Sequence, residues 1–272
     1  MKQLFYIKKE DQPDPVQSGL LLIAGLNYYS FAIINHVTNE LLEFGYYTMD
    51  TEQDNINNLF DQHPELKGQF YYSIVAYDVP EVQMIPVSYY KYDDAKLHLD
   101  ALYGGGDNLV VISEHLPEKR MYVVYKVSAQ LHDSLNRRLP SGKFWHLNSV
   151  ILKNQSLNSG DIINVDFKTD CYSVIVFKEG RLQLTQTFPY TVPEDVLYYL
   201  LKICQQFTLS QQKVKIVLSA LIEKDSAIYR ELFQYFIELE FETLPDSIKV
   251  DKVFIDYPAH YFTTISKLAQ CV

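Results

Sequence analysis

Residues 161–188 read DIINVDFKTDCYSVIVFKEGRLQLTQTF, and this stretch decides the fold. Its apolar residues fall into three short runs, residues 162–166, 171–177 and 182–188. β-Branched and aromatic side chains dominate them, which predicts three consecutive strands. Between the second and third runs stands Lys178-Glu179-Gly180-Arg181, where Gly180 can supply the positive φ that a tight hairpin turn demands. The residues that follow, TVPEDVLYYLLKICQQF, change to a helical period. Val196, Leu200, Ile203, Cys204 and Phe207 then share one face. Thr191 and Glu194 have capping-box spacing, and Pro193 suits a first helical turn.

Toward the C-terminus, residues 213–220 read as a buried strand, followed by a helix capped by Asp225 with Ile228, Leu232, Tyr235 and Phe236 on one side. Residues 239–243 and 252–255 are candidate strands. A last helix over about 258–270 points Phe262, Ile265 and Ala269 inward. Toward the N-terminus, residues 1–18, with Pro13 and Pro15, read as an arm or a first edge strand. Residues 20–26, 28–35 and 41–48 form another meander. Thr51 can cap a helix over about 52–62 that turns Ile56, Leu59 and Phe60 to one face. Residues 69–77 predict a strand, and residues 82–87, with Pro86, an edge segment. A helix capped by Asp93 or Asp94 carries Ala95, Leu99 and Leu102 and stops at Gly104-Gly105-Gly106. Residues 108–113 and 120–127 predict a strand pair, 128–138 a helix and 144–153 a strand. The polar run KNQSLNSG at residues 153–160 marks a boundary between a first domain, 1–157, and a second, 158–272.

Composition narrows the function. The chain has 272 residues, with 24 Lys and Arg against 34 Asp and Glu, a formal charge of −10. That balance argues against nucleic-acid binding, which needs a basic face, and no basic run exceeds two residues, as at Lys8-Lys9 and Arg137-Arg138. Three separated cysteines, Cys171, Cys204 and Cys271, form no CxxC pair and fit inert thiols in a reducing cytoplasm. No signal-peptide apolar core stands near the start, and the longest apolar run there, residues 20–25, is far short of the ~20 residues of a membrane span. The 22 tyrosines fall mostly in strand-like runs, as β-propensity dictates. Glycine is scarce, 10 residues, about half the usual ~7%, and phosphate loops are built from glycine.

An offset of 143 residues lays Tyr29-Ser30-Phe31-Ala32-Ile33-Ile34 on Tyr172-Ser173-Val174-Ile175-Val176-Phe177. Each half then reads strand, strand, strand, helix, strand, helix, strand. This duplicated α/β order, two mixed sheets flanked by helices, resembles the actin-like ATPase (ribonuclease H-like) fold of sugar kinases, actin and heat-shock chaperones. Residues 108–155 would be family-specific additions. The run DFKTDCYSVIVF and the closing Asp256-Tyr257-Pro258-Ala259-His260-Tyr261-Phe262-Thr263-Thr264 resemble an uncharacterised bacterial family of that fold. The fold also resembles the cytoplasmic adaptors of pilus assembly and type II secretion, some of which act as docking platforms.

The resemblance implies where chemistry would sit. Active members begin each half with a strand ending in Asp-x-Gly and a tight turn whose N–H groups hold phosphate, the first Asp positioning Mg²⁺. Here the first-half position is Ile23, followed by Ala24 and Gly25. In the second half Asp166 is present, but Lys168 replaces the glycine, and Thr169 and Asp170 follow. Both turns are broken, and the glycine-rich adenosine segment is missing from residues 252–272. The expectation is therefore a non-catalytic cytoplasmic scaffold with a protein partner and no cofactor. The alternative is a nucleotide- or phosphate-binding protein that uses Asp166, Lys168, Thr169 and Asp170, with Gly25 and Asn27 across the cleft. A homodimer through an exposed sheet edge is a further expectation.

Other motifs carry little. Gly104-Gly105-Gly106 follows a helix, whereas phosphate loops precede one. Ser141-Gly142-Lys143 lacks the upstream glycine of a P-loop, since position 137 is Arg. The seven histidines are scattered and form no HExxH or paired Cys/His motif, so the sequence predicts no metal site. Trp145 is expected in the core.

Overall fold

The computed structural model describes residues 1–10, 14–50, 54–155 and 160–271. Two compact units emerge, one made of Met1–Asn154, Asp246–Val253 and Ile265–Val272, the other of Gln155–Pro245 and Phe254–Thr264. The expected division between residues 157 and 158 lies outside the described residues, as do Pro13 and the cap expected at Thr51.

In the first unit, β1 (Lys2–Lys8) is an edge strand, followed by β2 (Ser18–Gly25), β3 (Tyr28–Asn35), β4 (Glu40–Thr48), α1 (Ile56–Gln62) and β5 (Tyr72–Asp78). Next come β6 (Val82–Pro86), α2 (Ala95–Tyr103), β7 (Leu109–Leu116), β8 (Met121–Ser128), α3 (Ala129–Arg138), β9 (Lys143–His146) and α4 (Leu147–Asn154). The main sheet runs β1-β4-β3-β2-β5-β9. The β2–β5 and β5–β9 pairs are parallel and the meander is antiparallel. Every residue of β2 is buried, as a central strand covered on both faces requires. A separate antiparallel sheet, β6-β8-β7, packs α2 through Ile85, Ala95, Leu99 and Val124.

The second unit holds β10 (Ile162–Phe167), β11 (Cys171–Lys178), β12 (Arg181–Pro189), α5 (Pro193–Phe207), β13 (Lys215–Ala220), α6 (Ala227–Phe233) and β14 (Glu238–Phe241). Its sheet order, β12-β11-β10-β13-β14, repeats β4-β3-β2-β5-β9 of the first. Glu179 and Gly180 both have positive φ, 51° and 72°, so the β11–β12 hairpin turns on two left-handed residues, of which one is glycine. The core gathers alternating residues of β10, β11 and β13 against Val196, Leu200 and Ile203 of α5. Later, β15 (Lys249–Val250) pairs with β4 in the first unit. α7 (Thr263–Ser266) lies between single turns at Ala259–Tyr261 and Lys267–Cys271. Among the described residues no helix is long and apolar enough to cross a membrane.

Several local expectations are corrected. Residues 144–153 are half strand, β9, and half helix, α4. Leu147–Leu152 is buried on every side, Asn148 and Ser149 included, so its polarity carries no period to tell strand from helix. The inserted sheet is shifted relative to the additions expected at 108–155, because it begins at Val82, while β9, inside that range, pairs with β5 in the main sheet. Asn55 caps α1, its side chain accepting from Asn57 N at 2.9 Å. Asp195, rather than Glu194, holds the α5 entrance by accepting from Thr191 and Val192 N–H. Ser226, rather than Asp225, caps α6. Leu102 and Tyr235 are exposed. Lys252–Phe254 is a 3₁₀ turn, set by the Asp251 carboxylate accepting from Val253 N. The helix expected over 258–270 is broken where the Thr263 hydroxyl takes the His260 carbonyl, and Leu268 points inward instead of Ala269.

Candidate functional site

The second-half turn is built on Asp166. Register places Ser173 of antiparallel β11 and Ser219 of parallel β13 on its two sides. Lys168, two residues on, projects to the same face. Asp166 is 7% exposed and Lys168 2%. The Lys168 ammonium lies 3.2 Å from Asp166 Oδ1 and donates to Ser173 Oγ at 2.6 Å. Ser173 and Thr187 hydroxyls meet at 3.0 Å. Ser219 Oγ donates to Asp166 Oδ2 at 2.8 Å, and Thr264 Oγ1 donates to the same oxygen. Both carboxylate oxygens are thus engaged inside the unit, and the ammonium faces Asp166 and Ser173 rather than solvent.

Thr169 and Asp170 are exposed at the tip. The turn closes by Lys168 N–H to the Cys171 carbonyl at 2.8 Å. Tyr190 clamps it, its hydroxyl on the Lys168 carbonyl at 2.9 Å and its N–H on the Asp170 carbonyl at 3.1 Å. His260 lies nearby in the fold, its Nε2 2.6 Å from the Ile222 carbonyl and its ring stacked on Phe241. Burial lowers its pKa, which favours neutral imidazole with the proton on Nε2.

The equivalent first-half turn is apolar. Ile23 stands where Asp166 stands, flanked in register by Ser30 and Ala76. Gly25 is buried beneath Tyr28, and a Cβ there would meet the ring at 2.1 Å. The Tyr28 hydroxyl donates to Asp78 Oδ2 at 2.6 Å, and its ring stacks on Tyr46 at 5.0 Å. The glycine therefore makes room for an aromatic ring. Asn27 is exposed, and its carbonyl accepts from Met49 N at 2.9 Å. Beside this turn a cavity of about 740 Å³ opens, lined by Gly25, Leu26, Tyr29, Asn55, Lys126 and Ser128 among others. Lys126 is buried, with its ammonium 2.9 Å from Asp100 Oδ1.

The structure thus brings Asp166 and Lys168 together and leaves Thr169 and Asp170 at the rim. Sequence reasoning missed Ser173, Ser219, Thr264 and Tyr190 around them, and Tyr28 and Asp78 in the first unit. A signal existed for two of these, Ser173 and Ser219. The same 143-residue offset that aligns β3 with β11 carries Ile23 onto Asp166, Ser30 onto Ser173 and Ala76 onto Ser219, so neighbours in register were readable from the repeat.

Comparison with known proteins agrees with this geometry. The family described as "Protein of unknown function (DUF3822)" matches residues 9–239. No curated protein matches. A Bacteroides thetaiotaomicron protein described as having an actin-like ATPase fold and unknown function superposes with a TM-score of 0.77 at 17% identity, covering 95% of this chain and 97% of that one. The PilM-PilN type IV pilus biogenesis complex contains a chain that superposes with a TM-score of 0.59 at 9% identity, covering 94% and 99%. These likenesses establish the actin-like ATPase fold.

Proposed function

We propose, from the premise that this chain belongs to the DUF3822 family and has the actin-like ATPase fold, that it is a non-catalytic scaffold working through a protein partner. The carrying observation is the closed Asp166–Lys168 pair. A lysine buried against the carboxylate at the strand end of the second turn supplies the positive charge that Mg²⁺ would otherwise bring, and supplies it permanently. Phosphoryl transfer depends on placing that metal and the phosphates together. Tyr28 over Gly25 supports the same reading in the first unit. The neighbour described as a PilM-PilN complex offers a precedent for partner binding on this fold. The partner site we favour is the first-unit cavity, where Leu26 and Leu109 stand exposed at the lining. A cytoplasmic location belongs to this reading.

The second reading, a nucleotide-binding protein, draws on that same cavity. Its volume suits a small ligand, and it lies past the carboxyl ends of parallel β2 and β5, where open α/β sheets bind ligands. Calorimetry with ATP and Mg²⁺ separates the two. The scaffold reading expects no saturable heat at millimolar nucleotide; saturable submillimolar binding would overturn it. Affinity capture from the native extract with wild type and Leu26→Glu is the positive test, expecting a stoichiometric protein that the variant loses. Pairing of two copies along the edge strand β12 is the dimeric form of the proposal, and sedimentation showing only monomer at micromolar concentration would remove it.

A further inference from the structure

A second polar centre lies in the first unit, apart from both turns. Glu43 on β4, His63 at the end of α1 and Glu65 in the following 3₁₀ turn bring one ligand atom each to within 4.8 Å of one another. Glu43 is fully buried, His63 is buried and Glu65 is half-buried, so the cluster has one door to solvent. Tyr6 of β1 donates to Glu43 Oε1 at 2.9 Å and sits 3.3 Å from Glu65 Oε1. One hydroxyl proton cannot serve both carboxylates fully. Lys8 reaches Glu43 from the other oxygen, Oε2, at 3.3 Å, which leaves Oε1 turned to the cluster.

The imidazole orientation is the second observation. Tyr47 donates to Gln3 Oε1 at 3.3 Å and therefore accepts from His63 Nε2–H at 2.5 Å. Nδ1 then faces Glu65 Oε1, 2.9 Å away, a contact that either a proton or a metal ion must bridge. A ligating histidine that gives its other N–H to an oriented acceptor is the usual arrangement around a bound metal.

We propose that Glu43, His63 and Glu65 form a binding site for a divalent first-row transition ion. The donor set, one imidazole and two carboxylates, suits Zn²⁺ or Mn²⁺ better than Mg²⁺ or Ca²⁺, which take oxygen alone. Ligands on one ion at about 2.1 Å lie at most about 4.2 Å apart, so the cluster closes by less than about 1 Å, and the half-buried Glu65 carries that movement. The ion replaces the shared protons that the pair of carboxylates and the imidazole otherwise need, so binding releases protons. Pattern reading found no motif because the ligands come from three elements, with only His63-x-Glu65 adjacent in sequence.

The test is calorimetry of the full chain, stripped with a chelator, against Zn²⁺ and separately Mn²⁺, in two buffers of different ionisation heat. One ion per chain, micromolar or tighter, with proton release and a raised Tm, is expected. Glu65→Gln is chosen because its side chain is partly exposed and its loss leaves the core intact. It should weaken binding by about 100-fold, and Tyr47→Phe by about 10-fold. His98→Ala, a change at an exposed helical histidine, should bind like wild type. Absence of saturable binding in the wild type, or equal binding in Glu65→Gln, would overturn the proposal. A Co²⁺ spectrum unchanged between wild type and His63→Gln would do the same.

Discussion

The turn after β2 and the turn after β10 occupy the same place in a duplicated sheet and have opposite chemistry. In the first, Ile23, Ser30 and Ala76 lie side by side across three strands, and a tyrosine ring covers the glycine. In the second, Asp166, Ser173 and Ser219 hold the same register positions, and a lysine neutralises the acid. The fold tolerates both because each is internally satisfied: one by packing, the other by a buried ion pair with hydroxyl donors on both sides. The same duplicated backbone thus carries an apolar turn in one half and a neutralised acid in the other.

The largest effect should come from breaking that cancellation. Lys168→Met leaves Asp166 buried without its cation and should cost about 3–5 kcal/mol in urea unfolding. Adding Asp166→Ile, which writes the first-half residue into the second half, should restore stability to within about 2 kcal/mol of wild type. A double variant no better than Lys168→Met alone would mean that the two halves are not interchangeable at this position.

A buried acid of the inserted sheet sharpens the contrast. Glu114 is 7% exposed, and its hydrogen bonds from Tyr125 and from the His146 N–H do not offset burial, which pushes its pKa up to about 7. In the unfolded chain it titrates near the ordinary glutamate value of about 4.3. Between these values the folded protein holds a proton that the unfolded chain releases, so stability falls as pH rises through that window, by roughly 3 kcal/mol. Urea midpoints at pH 5 and pH 8 should show this fall in wild type and a smaller one in Glu114→Gln. Equal slopes would mean that Glu114 is already ionised when folded.

Gly25→Ala tests the apolar turn. The new methyl meets the Tyr28 ring, and overpacking of this kind costs about 2 kcal/mol. In a Tyr28→Ala background the same substitution should cost less than about 0.5 kcal/mol. If the cost persists without the ring, the glycine serves the backbone and the phosphate reading of this turn regains ground.

Most of the architecture was legible in the sequence. The meander at 161–188, its Gly180 turn and the switch to helix reproduce β10, β11, β12 and α5 to within a residue or two, because period and turn chemistry act locally. The 143-residue offset supplied the duplication. What escaped was whatever depends on burial from all sides, as in α4, or on which of two neighbouring acids faces an N–H, as with Asp195 over Glu194. At the candidate site Asp166 and Lys168 were visible. Their mutual pairing was not, since an alternating strand says which face a side chain takes and nothing about how deep it lies. Thr264 reaches Asp166 across 98 residues, a closure only the folded chain reveals.

The smallest effect concerns how helices end in the two units. In the first, α2 stops on Gly104 at φ 82°, a conformation glycine adopts freely; in the second, α5 stops on Thr208 at φ 56°. A β-branched residue is strained in the left-handed region, yet the geometry is needed there, because the Leu209 N–H returns to the Cys204 carbonyl at 2.8 Å to close the helix. Thr208→Gly should therefore stabilise the protein by about 1 kcal/mol, a rise in urea midpoint with unchanged slope. Gly104→Ala should move the midpoint the other way by a similar amount, its cost purely conformational because a Cβ there meets nothing within 4 Å. Opposite shifts would show that each helix stops on a positive-φ residue, with ψ 159° at Gly104 and ψ 46° in the left-handed region at Thr208. A Thr208→Gly variant that loses stability would instead assign the threonine side chain a packing role larger than its strain.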